Sequence, residues 1–245
     1  MPLQQLKPRF LEKIWGSQKL EPWFPDSPNK IGEVWFEGPG ALELPVLVKF
    51  LFTSGKLSVQ VHPDDTYAGK HHSCAGKTEM WHVLAAEPGA QIAAGLREAV
   101  SAERLRQAAM TEEIERLLDW HAAAPGDTFF IPAGTLHAIG AGLTLCEIQQ
   151  RSDITYRLYD YGRPRELHID QSLAVAARGP HPARVQPKED QLVSCDYFTV
   201  GKRVFAGSVQ WPLPPGRFVL MIVIQGAAVI DGNSEKNVLW VGVVS

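Results

Sequence analysis

Gln60, His62, Glu79 and His137 are the residues whose types and spacing point most directly to chemistry. Gln60-Val61-His62 lies in an alternating run that reads as a strand, and Glu79 opens a later one. Residues i and i+2 of a strand share a face, so Gln60 and His62 can converge on one point. The second segment is Gly126-Asp-Thr-Phe-Phe-Ile-Pro132-Ala-Gly134-Thr-Leu-His137: a strand, a Pro/Gly turn and a histidine just past the turn. Imidazole nitrogen, carboxylate oxygen and amide oxygen are all metal donors. Each residue also has a plainer reading alone: Gln60 as a solvent-facing strand residue, Glu79 as an exposed charge, His137 as a surface histidine. His71 and His72, in the loop-like stretch Gly69-Lys-His-His-Ser, and His82, on the strand face opposite Glu79, are competing imidazoles and are set aside.

The elements that must position these groups are mostly strands. Short apolar or alternating runs punctuated by Gly and Pro predict strands at Val34–Glu37, Pro45–Phe52, Leu57–His62, Glu79–Ala85, Gln91–Leu96, Thr128–Ile131, Leu143–Gln149 and Thr155–Leu158. The spacing fits antiparallel strands in a sandwich or closed barrel. From Ser101 to Trp120, Leu105, Ala108, Ala109, Ile114, Leu117 and Leu118 recur at helical intervals, and Ser101 and Thr111 are placed to cap two short helices. Arg178 to Lys188 reads as a loop or linker. Val200–Phe205, Phe218–Gln225, Ala227–Asp231 and Asn237–Val244 are expected to be strands of a second, shorter β unit.

Composition limits the class. A 245-residue chain with 45% hydrophobic and 21% charged residues supports an ordinary globular core. Lys+Arg of 24 against Asp+Glu of 27 gives a net charge of −3, so no basic field is expected to hold nucleic acid or an anionic membrane. The N-terminus MPLQQLKPRF has no apolar core of a signal peptide, and no run approaches the roughly 20 apolar residues of a membrane span. Cys74, Cys146 and Cys195 are odd in number and widely spaced, as expected of reduced thiols in a cytoplasmic protein.

The two segments together resemble the paired motifs of the cupin superfamily. The second matches Gly-x5-Pro-x-Gly-x2-His position for position, although the Asn that often follows is Ala141; in the first, Gln60 stands where a histidine is common. Longer stretches narrow the resemblance: Lys49-Phe-Leu leading into Leu57-Ser58-Val-Gln60-Val-His62-Pro63-Asp64, then Gly76-Lys77-Thr-Glu79-Met80-Trp81, then Cys146-Glu-Ile-Gln-Gln-Arg-Ser152-Asp153-Ile-Thr-Tyr156-Arg157. These look like the type I mannose-6-phosphate isomerases, in their shorter bacterial form. The resemblance runs from about Pro8 to Arg163 and continues weakly beyond. It departs in the short C-terminal part and in the Asp64-Asp65 pair, which stands where Asn or a single Asp followed by Lys is often seen.

The resemblance implies an all-β fold: a cupin double-sheet barrel (jelly roll) over residues 1–165 with a helical insertion near 98–121. A linker and a short cupin-like β domain without metal ligands would follow over 166–245, its completeness left open. It implies one metal ion per chain on Gln60, His62, Glu79 and His137. Such a mixed N/O set suits Zn²⁺ and admits Mn²⁺ or Fe²⁺, with charge left over to accept a substrate oxygen. The implied reaction interconverts mannose 6-phosphate and fructose 6-phosphate through a cis-enediol, in a monomer or homodimer. Arg157 is the implied catalytic arginine, with Asp153 four residues earlier to fix its geometry or to move a proton. Lys49, inside an apolar run, and Lys77, two residues before Glu79, are the implied proton-transfer and oxyanion candidates, provided burial and a neighbouring cation lower their pKa. Ser58, on the face of Gln60, is placed to bind phosphate. Two other readings remain: another cupin metalloenzyme such as a dioxygenase, and a non-catalytic sugar-phosphate-binding cupin.

Overall fold

The computed structural model of the protein describes residues 5–40, 42–182, 184–205, 207, 219–226, 228–230, 233–235 and 239–242. The first half of the barrel comprises β1 (Lys7–Ser17), β2 (Ile31–Glu37), β3 (Val46–Thr53), β4 (Val59–Val61), α1 (Asp65–His72), β5 (Glu79–Ala86) and β6 (Gln91–Leu96). Then come α2 (Ala102–Ala109), α3 (Glu113–Leu117), β7 (Leu118–Ala122), β8 (Thr128–Ile131), β9 (His137–Ile139), β10 (Leu143–Gln150), β11 (Tyr156–Tyr159) and α4 (Ile169–Val175). The C-terminal strands are β12 (Gln191–Ser194), β13 (Thr199–Lys202), β14 (Val219–Ile222), β15 (Ala228–Ile230), β16 (Asn233–Glu235) and β17 (Leu239–Gly242).

Two antiparallel sheets make the barrel: six strands in the order β1-β2-β3-β10-β5-β8, and five in the order β11-β4-β9-β6-β7. Alternation sorts their side chains. Leu51, Trp81, Val83, Phe129 and Leu145 of the large sheet pack on Leu57, Ile92, Ala94 and Ile139 to fill the interior. The intervening residues of the large sheet, Val46, Val48, Phe50, Phe52, Met80, Cys146 and Ile148, turn outward and are covered by Leu192, Val193, Phe198, Val200, Leu220 and Ile222. The outer face of the small sheet, including Val59, Val61, Ala93 and Leu136, is covered by Leu105, Ala108, Ala109 and Ile114 of α2 and α3. Because both faces of the central strands β3, β5 and β10 are covered, their sequences read as nearly continuous apolar runs, and a charge such as Lys49 within one is conspicuous.

Several expectations shift by local chemistry. β1 was not anticipated, because its exposed outer residues blur the alternation. The helical block ends at Leu117, and Leu118–Ala122 is a strand beside β6. Ser101 caps α2 by accepting from the Arg104 N–H at 3.1 Å. Thr111 accepts from the Glu113 N–H at 3.2 Å, although the residue flanking α3 is Glu112. His71 and His72 are the last turn of α1 rather than a loop, since Asp64 accepts from the Tyr67 N–H at 2.8 Å and starts a helix there. After α4 the chain is tied to the barrel at two points, Ala177 N–H donating to Gly134 O at 2.8 Å and Val185 N–H to Thr128 O at 2.9 Å. β12, β13, β17 and β14 then form a four-stranded sheet. Phe218, Ala227, Asp231, Asn237 and Val244, at the ends of expected strands, lie outside the described residues. No helix among the described residues is long and apolar enough to cross a membrane.

Candidate active site

Register brings the polar side chains of the two sheets face to face at one end of the barrel. On the large sheet, Trp35, Lys49, Glu147 and Trp81 are successive cross-strand partners on β2, β3, β10 and β5; Gln149 and Glu79 pair one step along. On the small sheet, Arg157, Gln60 and His137 are partners across β11, β4 and β9. Directly opposed residues share a sheet face, so these rows present their polar groups together.

His62, Glu79 and His137 converge: one ligand atom from each lies within 4.8 Å of the others, and all three side chains are buried. Glu79 Oε2 is 3.5 Å from His62 Nε2, and Oε1 is 3.4 Å from His137 Nε2. His62 donates its Nδ1–H to Ile154 O and His137 its Nδ1–H to Thr135 O, each at 2.9 Å. These bonds fix the tautomer and aim the Nε2 lone pairs at the shared space, the arrangement a metal-ligating histidine needs. Gln60 completes the group, with its amide nitrogen 3.2 Å from His137 Nε2 and its Oε1 accepting from Ser58 Oγ at 3.3 Å. Rotating the amide end for end presents oxygen to the cluster instead.

The electrostatics favour the ligand forms. Burial, with the charge of Lys77 behind it, holds the His62 imidazole well below its usual pKa. Burial also lowers that of His137, against the pull of Glu79. Burial pushes the Glu79 carboxyl upward, but Lys77 and His137 outweigh it and hold the pKa at about 2. The cluster is therefore two neutral imidazoles and one carboxylate. The Lys77 ammonium stands 2.9 Å from Glu79 Oε2, whereas Oε1 is buried without a hydrogen-bond partner. A buried carboxylate with one unpartnered oxygen between two imidazole lone pairs fits a divalent cation.

Lys77 lies just before β5, yet its Nζ reaches His62 Nε2 at 3.0 Å and Glu147 at 3.8 Å. Burial alone would lower its pKa, but Glu79 and Glu147 outweigh that and raise it. That direction favours a protonated lysine over one tuned downward into a base. Lys49, also buried, sits 3.8 Å from Glu147 and 3.7 Å from Asp153, with its ammonium 4.7 Å from the centre of the Trp35 ring. Asp153 thus faces Lys49 and not Arg157, correcting the expected Asp–Arg pairing. The extended stretch from Asp153 into β11 carries the two residues to different neighbours. Arg157 Nη1 donates to Glu166 O at 2.7 Å, and its buried Nε has no partner.

Glu147 and Trp35 were not singled out by sequence. The signal for Glu147 was the one that flagged Lys49, a charge within an apolar strand; its importance depends on the register that sets it opposite Lys49. Burial raises the Glu147 pKa, which Lys49 partly offsets. A cavity of about 410 Å³ lined by Arg9, Trp35, Glu37, Leu44, Arg151 and Asp153 opens beside the Lys49–Asp153 pair.

A scan against protein-family models returns no match. Among characterised sequences, the mannose-6-phosphate isomerase of Streptococcus mutans serotype c is 41% identical over 285 residues, covering 97% of this chain and 89% of that protein. The aligned length exceeds the 245 residues of this chain, so the relative carries internal segments that this chain lacks. The mannose-6-phosphate isomerase ManA of Bacillus subtilis is 34% identical, covering 90% of this chain and 84% of that one. Among solved structures, the mannose 6-phosphate isomerase of Bacillus subtilis superposes with a TM-score of 0.83 at 29% identity, over 98% of this chain and 92% of that one. With sequence identity and backbone similarity both extending across nearly the whole length, the chain belongs to the mannose-6-phosphate isomerase family.

Proposed function

We propose that the chain interconverts mannose 6-phosphate and fructose 6-phosphate at the His62–Glu79–His137 centre, by an aldose–ketose isomerisation through a cis-enediol. The observation that carries the reading is the buried centre itself: two imidazole lone pairs and an under-partnered carboxylate, faced by Lys49 and Lys77. We assign one zinc ion per chain to His62, Glu79, His137 and the amide of Gln60; the N/O donor set without thiolate supports this. When bound, the ion polarises the sugar carbonyl and offsets negative charge on the substrate oxygens.

The remaining chemistry belongs to the chain. A proton must leave C2 and return at C1 on one face of the sugar. Asp153, whose side chain is 67% exposed, and buried Lys49 form the ion pair that leads from the inner row to solvent, and the proton transfer is assigned to them. Lys77, kept protonated by its carboxylate neighbours, supplies a preorganised positive donor to the sugar oxygens. Arg157, on the face of Gln60, holds developing charge without titrating. Ser58 is already engaged by Gln60 and orients that ligand, with phosphate contact as its second part. The same proposal divides the chain near residue 165 into a metal-bearing barrel and a metal-free C-terminal part. It also places the enzyme in the cytoplasm, on a small soluble substrate with neither nucleic acid nor membrane as partner. The slightly acidic charge and three free cysteines support that setting.

Elemental analysis of purified protein, with a coupled assay of mannose 6-phosphate conversion, tests the proposal. One equivalent of zinc and turnover without oxygen uptake are expected. Oxygen consumption, or sugar-phosphate binding without turnover by metal-loaded protein, would overturn it.

A further inference from the structure

Asp65, the first residue of α1, is surrounded by donors from three distant parts of the chain. Its Oδ1 accepts from the Gly76 N–H at 2.7 Å and from the Gln150 side-chain amide at 2.9 Å. Its Oδ2 accepts from the Tyr197 hydroxyl at 2.9 Å. Gln150 in turn accepts from the Thr78 N–H at 2.7 Å, and its own N–H donates to Thr78 O at 3.0 Å. Gly76 and Thr78 are the two chain neighbours of Lys77. Both flanks of that lysine are therefore held by one Asp65–Gln150 pair, while the Lys77 N–H donates to Pro63 O at 3.0 Å. The fit is close: a Cβ on Gly76 would stand 2.5 Å from the Asp64 carbonyl carbon and the Asp65 nitrogen.

Tyr197 lies in the turn between β12 and β13, on the sheet that covers the outer face of the barrel. Its neighbour Phe198 is fully buried in that interface, which fixes where the tyrosine can reach. The Tyr197–Asp65 bond is thus a direct polar link from the C-terminal strands to the segment that carries Lys77.

We propose that Asp65 is a positioning residue for Lys77, and that the C-terminal strands take part in the reaction through Tyr197, which steadies Asp65 from outside the barrel. The inference rests on the reading that Lys77 acts in the isomerisation. A lysine on a short lead-in is not fixed by a sheet ladder, so its ammonium is only as well placed as its backbone. None of the three hydrogen bonds to the Asp65 carboxylate comes from the metal-binding cluster. Loss of Asp65 should displace Lys77 without releasing the metal, whose ligands His62, Glu79 and His137 are held by the sheets and their turns.

The test uses full-length, metal-loaded protein carrying D65A, Y197F and K77M, singly and combined. Expected are a roughly tenfold fall in kcat for D65A and a two- to fivefold fall for Y197F, with KM and bound metal nearly unchanged and no further fall from either change in a K77M background. D65E should recover part of the loss. Equal losses from D65A with and without Lys77 would make Asp65 merely structural and overturn the inference, as would normal kcat in D65A. If D65A does not fold, Y197F, which removes one hydroxyl, decides by the same comparison. Normal kcat in K77M would instead overturn the role of Lys77 itself, and with it the positioning claim.

Discussion

Replacing His82 by Asn should make the protein lose less stability in acid. His82 is 1% exposed on the outward face of β5, beneath the C-terminal strands, where its Nδ1 lies 3.0 Å from the Thr128 hydroxyl. Burial, reinforced by Lys202 of β13 and opposed by Asp127, lowers its pKa from 6.5 to about 4. The unfolded chain takes up the proton near 6.5 and the folded chain resists until about 4. The stability contribution is therefore whole above pH 6.5 and is lost as pH falls from 6.5 towards 4. At 1.36 kcal/mol per pKa unit the loss amounts to about 3 kcal/mol, a large share of the 5–15 kcal/mol typical of a folded domain. Urea unfolding of wild type and H82N at steps from pH 7.5 to pH 4, with chelator present so that metal release is common to both, measures it. Asn keeps a polar nitrogen near the Nδ1 position, so the neutral-pH cost should be modest. Wild type should lose about 3 kcal/mol more than H82N across the interval. Parallel curves would refute the reasoning, because they would mean that the proton is accommodated in the folded interface.

Three further outcomes follow from the site. E79A and H137A should each lose the bound metal, measured by elemental analysis after gel filtration, since removing a strong donor leaves too few to hold it; stoichiometric metal in both would remove the assignment. R157K should retain fold and metal but lower kcat by about a hundredfold, with a smaller change in KM; a greatly raised KM at near-normal kcat would make Arg157 a phosphate anchor instead. G76A should lower stability by about 1–3 kcal/mol, because the new methyl meets backbone rather than a movable side chain; an unchanged urea midpoint would show that this segment yields.

The sequence by itself determined the class of fold and singled out the candidate ligands Gln60, His62, Glu79 and His137, of which the structure brings His62, Glu79 and His137 together. Strand periodicity put Gln60 and His62 on one face, and the resemblance to the paired cupin motifs added Glu79 and His137 to them. Lys49 was legible as a charge in a run whose two faces are otherwise covered. The tertiary structure decided what no local pattern carries: which residues meet across strands. Asp153 turns to Lys49 rather than to Arg157, and Glu147 joins both lysines, only because register sets β10 against β3. Lys77 has its pKa raised rather than lowered because two carboxylates, one of them 70 residues away on β10, outweigh its burial. In the sequence the Asp64-Asp65 pair is only a departure from the family pattern. Folding makes Asp64 a helix cap and Asp65 a junction with Tyr197, since charge balance and hydrogen-bond partners are properties of the assembled chain.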